Sequence, residues 1–177
     1  MIIEKIKSFF LKQQLRRNVR SLKKQTYRPI SKIKTVGIIL DDKLAIKNVV
    51  FERFISQFGV SKVNIKFLIF TNLSHEEIEV KSGFEKDYLN DSDFDFFGNI
   101  KSEPHSFYAS KFDILINYFD RSNPYLELMS SKYKRCFRVG FLGVDRNLND
   151  LIFDFKATST NSFLKESKKY LGTIFKI

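Results

Sequence analysis

The side chains in this chain whose types could do chemistry are mostly carboxylates, and they recur after apolar runs. Asp41 and Asp42 follow residues 35–40, Thr71 and Asn72 follow residues 63–70, Asp120 follows residues 112–119, and Asp145 follows residues 136–142. In an open parallel sheet, ligands bind beyond the carboxyl ends of the strands. Asp41, Asp42, Asn72, Asp120 and Asp145 therefore make a candidate ligand rim, with the chemistry to hold a divalent cation or orient a hydroxyl. Strand-to-helix turns use the same short polar residues as caps. Capping is the expected role of Asp41 or Asp42, and of Ser122 or Asn123 ahead of the next helix. A small-molecule or nucleotide-binding enzyme working through this rim is the alternative reading; capping and solvation is the leading one.

The remaining reactive residues are isolated. His75 and His105 lie in polar segments, and a single cysteine, Cys136, makes neither a zinc set nor an internal disulfide. Cys136 begins an apolar run beside Lys134, Arg135 and Arg138. Neighbouring cations lower a thiol pKa, whereas burial leaves a thiol inert, and a buried structural thiol is expected. Gly37 sits inside an apolar run, and Gly140 and Gly143 lack the spacing and following helix of a phosphate loop. Asp95-Phe-Phe-Gly98 lacks the catalytic and glycine-rich loops that a kinase metal motif needs, and there is no Gly-x-Ser-x-Gly elbow. No catalytic residue, metal or cofactor is expected.

Charge is the chain's most local property. Residues 1–35 carry eleven Lys/Arg (Lys5, Lys7, Lys12, Arg16, Arg17, Arg20, Lys23, Lys24, Arg28, Lys32, Lys34) against Glu4 alone, whereas residues 36–177 hold twenty bases and nineteen acids. Ten of the eleven net positive charges thus precede a nearly neutral body. Such a field speaks of partners rather than of fold. Residues 2–25 contain no Gly or Pro, and Leu11, Leu15, Val19 and Leu22 share one helical stripe, opposite Arg16, Arg17, Arg20, Lys23 and Lys24. Ile2, Ile3, Ile6, Phe9 and Phe10 fall on the face that later becomes basic. A break near Lys12-Gln13, or burial of the first turns against something outside the domain, is therefore expected. A second copy of the chain or a membrane interface would serve.

The body reads as alternating strands and helices. Strands are expected at 35–40, 63–70, 112–119, 136–142 and 151–155, and helices at 43–58, 123–131 and 161–175. The acidic stretch 71–95 shows at most a short strand at 78–80, and 96–100 reads as an edge strand. Acid and bases interleave with the first apolar residues, so no signal peptide is expected, and no window is long enough to span a membrane. With one cysteine, a reducing compartment is the default, and a cytoplasmic location is expected.

The residues Phe112-Asp-Ile-Leu-Ile-Asn-Tyr-Phe, Leu126-Glu-Leu-Met-Ser-Ser-Lys and Arg138-Val-Gly-Phe resemble an uncharacterised family of short bacterial proteins, a domain of unknown function. The leader Arg16-Arg-Asn-Val-Arg-Ser-Leu-Lys and Asp93-Phe-Asp-Phe-Phe-Gly98 fit the same resemblance. That stretch alone also resembles the N-terminal Rossmann-like half of heptosyltransferase-type glycosyltransferases. It lacks the half that binds the sugar nucleotide there, so glycosyl transfer is not implied.

The expected fold is α/β, a mostly parallel Rossmann-like sheet flanked by helices. Residues 1–28 form the basic helix and residues 34–177 a single domain able to fold without it. The expected function is non-catalytic: an accessory protein contacting an anionic partner through Arg16, Arg17, Arg20, Lys23, Lys24 and Arg28. Nucleic acid or a ribonucleoprotein ranks ahead of an anionic membrane surface, and Ile2, Ile6, Phe9 and Phe10 are the patch for membrane docking or a homodimer.

Overall fold

Four of the apolar runs become the centre of one sheet. The computed structural model describes residues 2–22, 32–74, 83–101 and 105–176, with the backbone alone for 2–4 and 105. Six strands, β1 (Val36–Asp41), β2 (Ile65–Phe70), β3 (Glu85–Leu89), β4 (Ile114–Tyr118), β5 (Phe137–Phe141) and β6 (Leu151–Phe153), lie in the order β3-β2-β1-β4-β5-β6. Every pairing is parallel, with Ile39 of β1 opposite Leu68 of β2 and Asn117 of β4. This is the doubly wound, Rossmann-like order, in which the chain reverses direction across the sheet between β1 and β4.

Right-handed crossovers running opposite ways from that central pair put their helices on opposite faces. Helix α2 (Asn48–Phe58), between β1 and β2, packs on one face with the C-terminal α5 (Thr160–Phe175). Helix α4 (Pro124–Lys132), between β4 and β5, packs on the other with α1 (Ile2–Leu22) and the single-turn α3 (His105–Tyr108). Both faces are therefore covered, which explains why the central strands read as continuous apolar runs rather than alternating ones. Val36, Ile38 and Leu40 enter the first core and Ile39 the second.

The first core is dominated by aromatic rings. Tyr118 meets Phe51 at 5.2 Å and Phe163 at 4.9 Å, both edge to face, and its hydroxyl donates to the Ala157 carbonyl at 2.8 Å. Burial, and then the nearby Asp120 charge, push the Tyr118 phenol well above its ordinary range, so it stays a neutral donor.

Several expectations are corrected. The strand beyond β2 is Glu85–Leu89, not residues 96–100. Its sequence, Glu-Lys-Asp-Tyr-Leu, is polar because β3 is an edge strand, and only Leu89 in it is buried. Residues 96–100 form a turn closed by an isolated antiparallel bridge between Phe94 and Ile100. Helix α2 starts at Asn48 rather than 43, since residues 42–44 make a 3-10 turn capped by Asp41. Helix α1 runs unbroken through Lys12-Gln13. The strand expected at 78–80 lies outside the described residues.

Candidate interaction surface

Four of the five strand-end rim residues accept hydrogen bonds. Asp41 Oδ1 accepts from the Lys43 amide at 3.1 Å. Asp42 Oδ2 accepts from the Thr71 hydroxyl at 3.0 Å, tying the end of β1 to the end of β2. Asp120 Oδ2 accepts from the Ala157 amide at 2.8 Å, and Asp145 Oδ1 from the Asn147 amide at 2.9 Å and its side-chain nitrogen at 2.8 Å. Asn123 caps α4 through the amides of Tyr125 and Leu126, with Pro124 in the first turn where its missing N–H costs nothing. Asn72 is exposed on the loop after β2. The loops after β4 and β5 approach closely, since a Cβ at Gly143 would overlap the Asp120 carbonyl oxygen, and a shallow open pocket beside them is lined by Asp120, Gly143, Asp154 and Lys156. Among the described residues, no group of three or more His, Cys, Asp or Glu is gathered to hold a metal.

Cys136 is buried, and desolvation raises its thiol pKa in spite of the Arg138 charge beside it. It is a packed thiol rather than an activated one. His75 and the side chain of His105 lie outside the described residues.

The surface with the most unspent chemistry is the outer side of α1. Its inner stripe, Leu11, Leu15, Val19 and Leu22, is buried in the second core with Phe94, Leu126 and Met129. Polar groups on its flanks fasten it. The Asn18 side chain donates to Ser131 Oγ of α4 at 2.9 Å, Gln14 Nε2 to Asn99 Oδ1 at 3.3 Å, and Lys7 Nζ to the carbonyls of Asp91 at 3.1 Å and Phe94 at 3.4 Å. The helix set apart by its charge thus contributes a full stripe to the core of the body.

With the inner stripe fixed, the opposite side faces solvent from Lys5 to Arg20. Lys5, Ile6, Phe9, Lys12, Arg16, Arg17 and Arg20 are all exposed on it. Residues 5–22 contain no acid, so Glu4 at the start of the helix is all that offsets these bases within it. Lys23, Lys24 and Arg28 lie outside the described residues, as does the side chain of Ile2.

The N-terminal half of this side is apolar, and a second element extends it. Phe10, half-buried, meets Phe97 at 5.2 Å and Phe96 at 5.9 Å, and Phe9 lies 5.8 Å from Phe10. Phe9 is 62% exposed and Phe97 57%. The turn carrying Phe96 and Phe97 is built by Asp95. Its Oδ1 accepts from the amides of Phe97 and Asn99, both at 2.8 Å, its Oδ2 accepts from Asn99 Nδ2 at 3.0 Å, and its carbonyl from the Gly98 amide at 3.1 Å. These bonds, the Asn99 side chain foremost, hold the Asp95 carboxyl below its ordinary pKa. Gly98 has φ of +84°, and a Cβ there would press on Leu11 Cδ2 at 2.7 Å. Only glycine satisfies both demands. The sequence reading missed Phe96 and Phe97 as surface residues. The signal was present in Asp-x-x-Gly, which is turn chemistry rather than strand chemistry.

Fold and surface together define a doubly wound α/β protein whose N-terminal helix joins the core with one side and exposes bases and aromatic rings on the other. The chain belongs to a family of unknown function (DUF6913), whose model matches residues 7–174, the N-terminal helix from Lys7 onward included. No curated protein matches the chain, and no solved structure does. Among the described residues, no helix is long and apolar enough to cross a membrane.

Proposed function

We propose that the protein is a non-catalytic docking protein that engages an anionic partner through the outer side of α1. One observation carries this reading: Arg16, Arg17 and Arg20 project from a helix whose opposite stripe is buried in the core, with no acid within residues 5–22. A free basic tail is mobile and its charges spread. A docked helix holds them at fixed spacing, so a polyanion meets several cations without having to order them first. Lys5 and Lys12 extend the same row toward the aromatic end. The strand-end carboxylates support the reading from the other side, since Asp41, Asp42, Asp120 and Asp145 each accept a bond that maintains the fold.

The test is retention on immobilised heparin under a rising salt gradient. Replacing Arg16, Arg17 and Arg20 with Gln should move elution to distinctly lower salt. Replacing Lys165, Lys168 and Lys169 of α5, which are also exposed, removes the same formal charge elsewhere and should move it far less. Equal shifts for the two variants would reduce the effect to net charge and defeat the reading.

A further inference from the structure

The aromatic end of the same surface bears on the kind of anionic partner. Phe9, Phe10, Phe96 and Phe97 form one cluster from two elements, rimmed by Lys5 and Lys12, and the arginines continue from it along the helix. A nucleic acid would use exposed rings as stacking platforms, which need open, roughly parallel faces. These rings are turned against one another. Phe10 meets Phe97 at 71° and Phe96 meets Phe97 at 88°. Exposed rings set at such angles offer bases no common parallel platform, whereas the acyl boundary of a bilayer asks only for apolar volume, whatever its orientation. The turn's nearest carboxylates are engaged by local bonds, Asp95 at the surface with the amides of Phe97 and Asn99, and Asp93, which is buried, with the Asn90 amide at 2.8 Å. Lys5 to Arg20 is fifteen residues of helix, about 22 Å long at 1.5 Å per residue. That row is long enough to lie along a headgroup layer while the phenylalanines at one end enter it.

We propose that the partner is an anionic lipid bilayer: α1 lies along its surface with Arg16, Arg17 and Arg20 on lipid headgroups, and Phe9 and Phe97 enter the acyl boundary. This rests on the reading of α1's outer side as the docking surface for an anionic partner. It is peripheral docking of the interfacial kind, in which buried apolar area and attraction to anionic lipid act together.

The experiment is partitioning of the full chain onto phosphatidylcholine vesicles with and without phosphatidylserine, alongside binding to polyuridylate at the same low salt. Wild-type protein should partition onto the phosphatidylserine vesicles and hardly onto the neutral ones. The Arg16→Gln, Arg17→Gln, Arg20→Gln variant should lose on the order of a hundredfold, at roughly 1 kcal/mol per base near the surface. F9S with F97S should cost at least about tenfold, since each removes an exposed ring from the inserted cluster. V63S, which alters a side chain 79% exposed elsewhere, should cost nothing. F9S with F97S should lower the melting temperature only modestly, through the lost edge contacts with Phe10, and leave the chain folded at the temperature of the assay. The chain has no Trp, so F9W supplies a single Trp whose emission, excited selectively at long wavelength, should blue-shift on phosphatidylserine vesicles. Arginine-dependent binding to polyuridylate without vesicle partitioning would overturn the lipid assignment and leave the docking surface standing. Binding to neither would overturn both. Vesicle binding indifferent to F9S with F97S, or a dimer that this variant dissociates in the absence of vesicle binding, would also overturn the lipid assignment.

Discussion

Leu11→Ala is the sharpest perturbation of the idea that α1 belongs to the core. Leu11 is 2% exposed, sits in the second cluster with Phe94 and Leu126, and touches the Gly98 turn. Truncating a leucine buried to this degree removes its transfer free energy and leaves a cavity, together about 2–5 kcal/mol. Gly98 is held in its turn by Asp95 and cannot move in readily, so about 3 kcal/mol is a reasonable centre. For a domain of this size roughly 2–4 °C is lost per kcal/mol, which places the fall in melting temperature at about 6–12 °C. The assay is thermal unfolding by circular dichroism, with Arg17→Ala on the outer side of the same helix as the partner measurement. The arginine variant should stay within about 0.5 kcal/mol of wild type, as exposed substitutions do. Equal melting temperatures for the two variants would refute the docking of α1. Residues 34–177 would then be the self-sufficient body that their charge balance suggests.

Other outcomes follow from single contacts. Asn123→Ala removes the cap on the first turn of α4 and should cost about 1 kcal/mol in urea unfolding; no change would mean that the helix start is held by Pro124 alone. Glu127 is 5% exposed, and its pKa is raised first by desolvation, which the bond from Ser122 offsets only in part. A carboxyl whose folded pKa lies above its unfolded one contributes stability below the unfolded value, near 4.5, and loses it as pH rises through the folded value. Glu127→Gln should therefore be more stable than wild type at neutral pH. The difference should shrink below pH 4.5, and unfolding curves at the two pH values check the sign.

The parts of the fold legible in the sequence were those where one physical pattern acts alone. The runs that become β1, β2, β4 and β5 are apolar because both of their faces are buried, and no other reading competes for them. Leu11, Leu15, Val19 and Leu22 likewise declared themselves by spacing. β3 was illegible because an edge strand buries little: Glu85, Lys86 and Asp87 look like loop until Phe67, Leu68 and Ile69 are known to lie beside it. The outer side of α1 was half legible. Periodicity placed Ile6 and Phe9 opposite the buried stripe, but left open whether the helix breaks there or its first turns bury against something outside the domain. The structure needs no break, because Phe10 turns toward Phe96 and Phe97 while Phe9 stays in solvent. That meeting depends on a turn some eighty-five residues away, which no local period encodes.

The central claim is that fixed cations on α1 contact the phosphates of an anionic partner. Its most direct test is the slope of log partitioning against log salt on phosphatidylserine vesicles, measured for wild type and for the Arg16→Gln, Arg17→Gln, Arg20→Gln variant. Losing three surface cations should weaken binding on the order of a hundredfold at low salt and make that slope distinctly shallower, with the melting temperature unchanged. Identical slopes for the two proteins would contradict the claim.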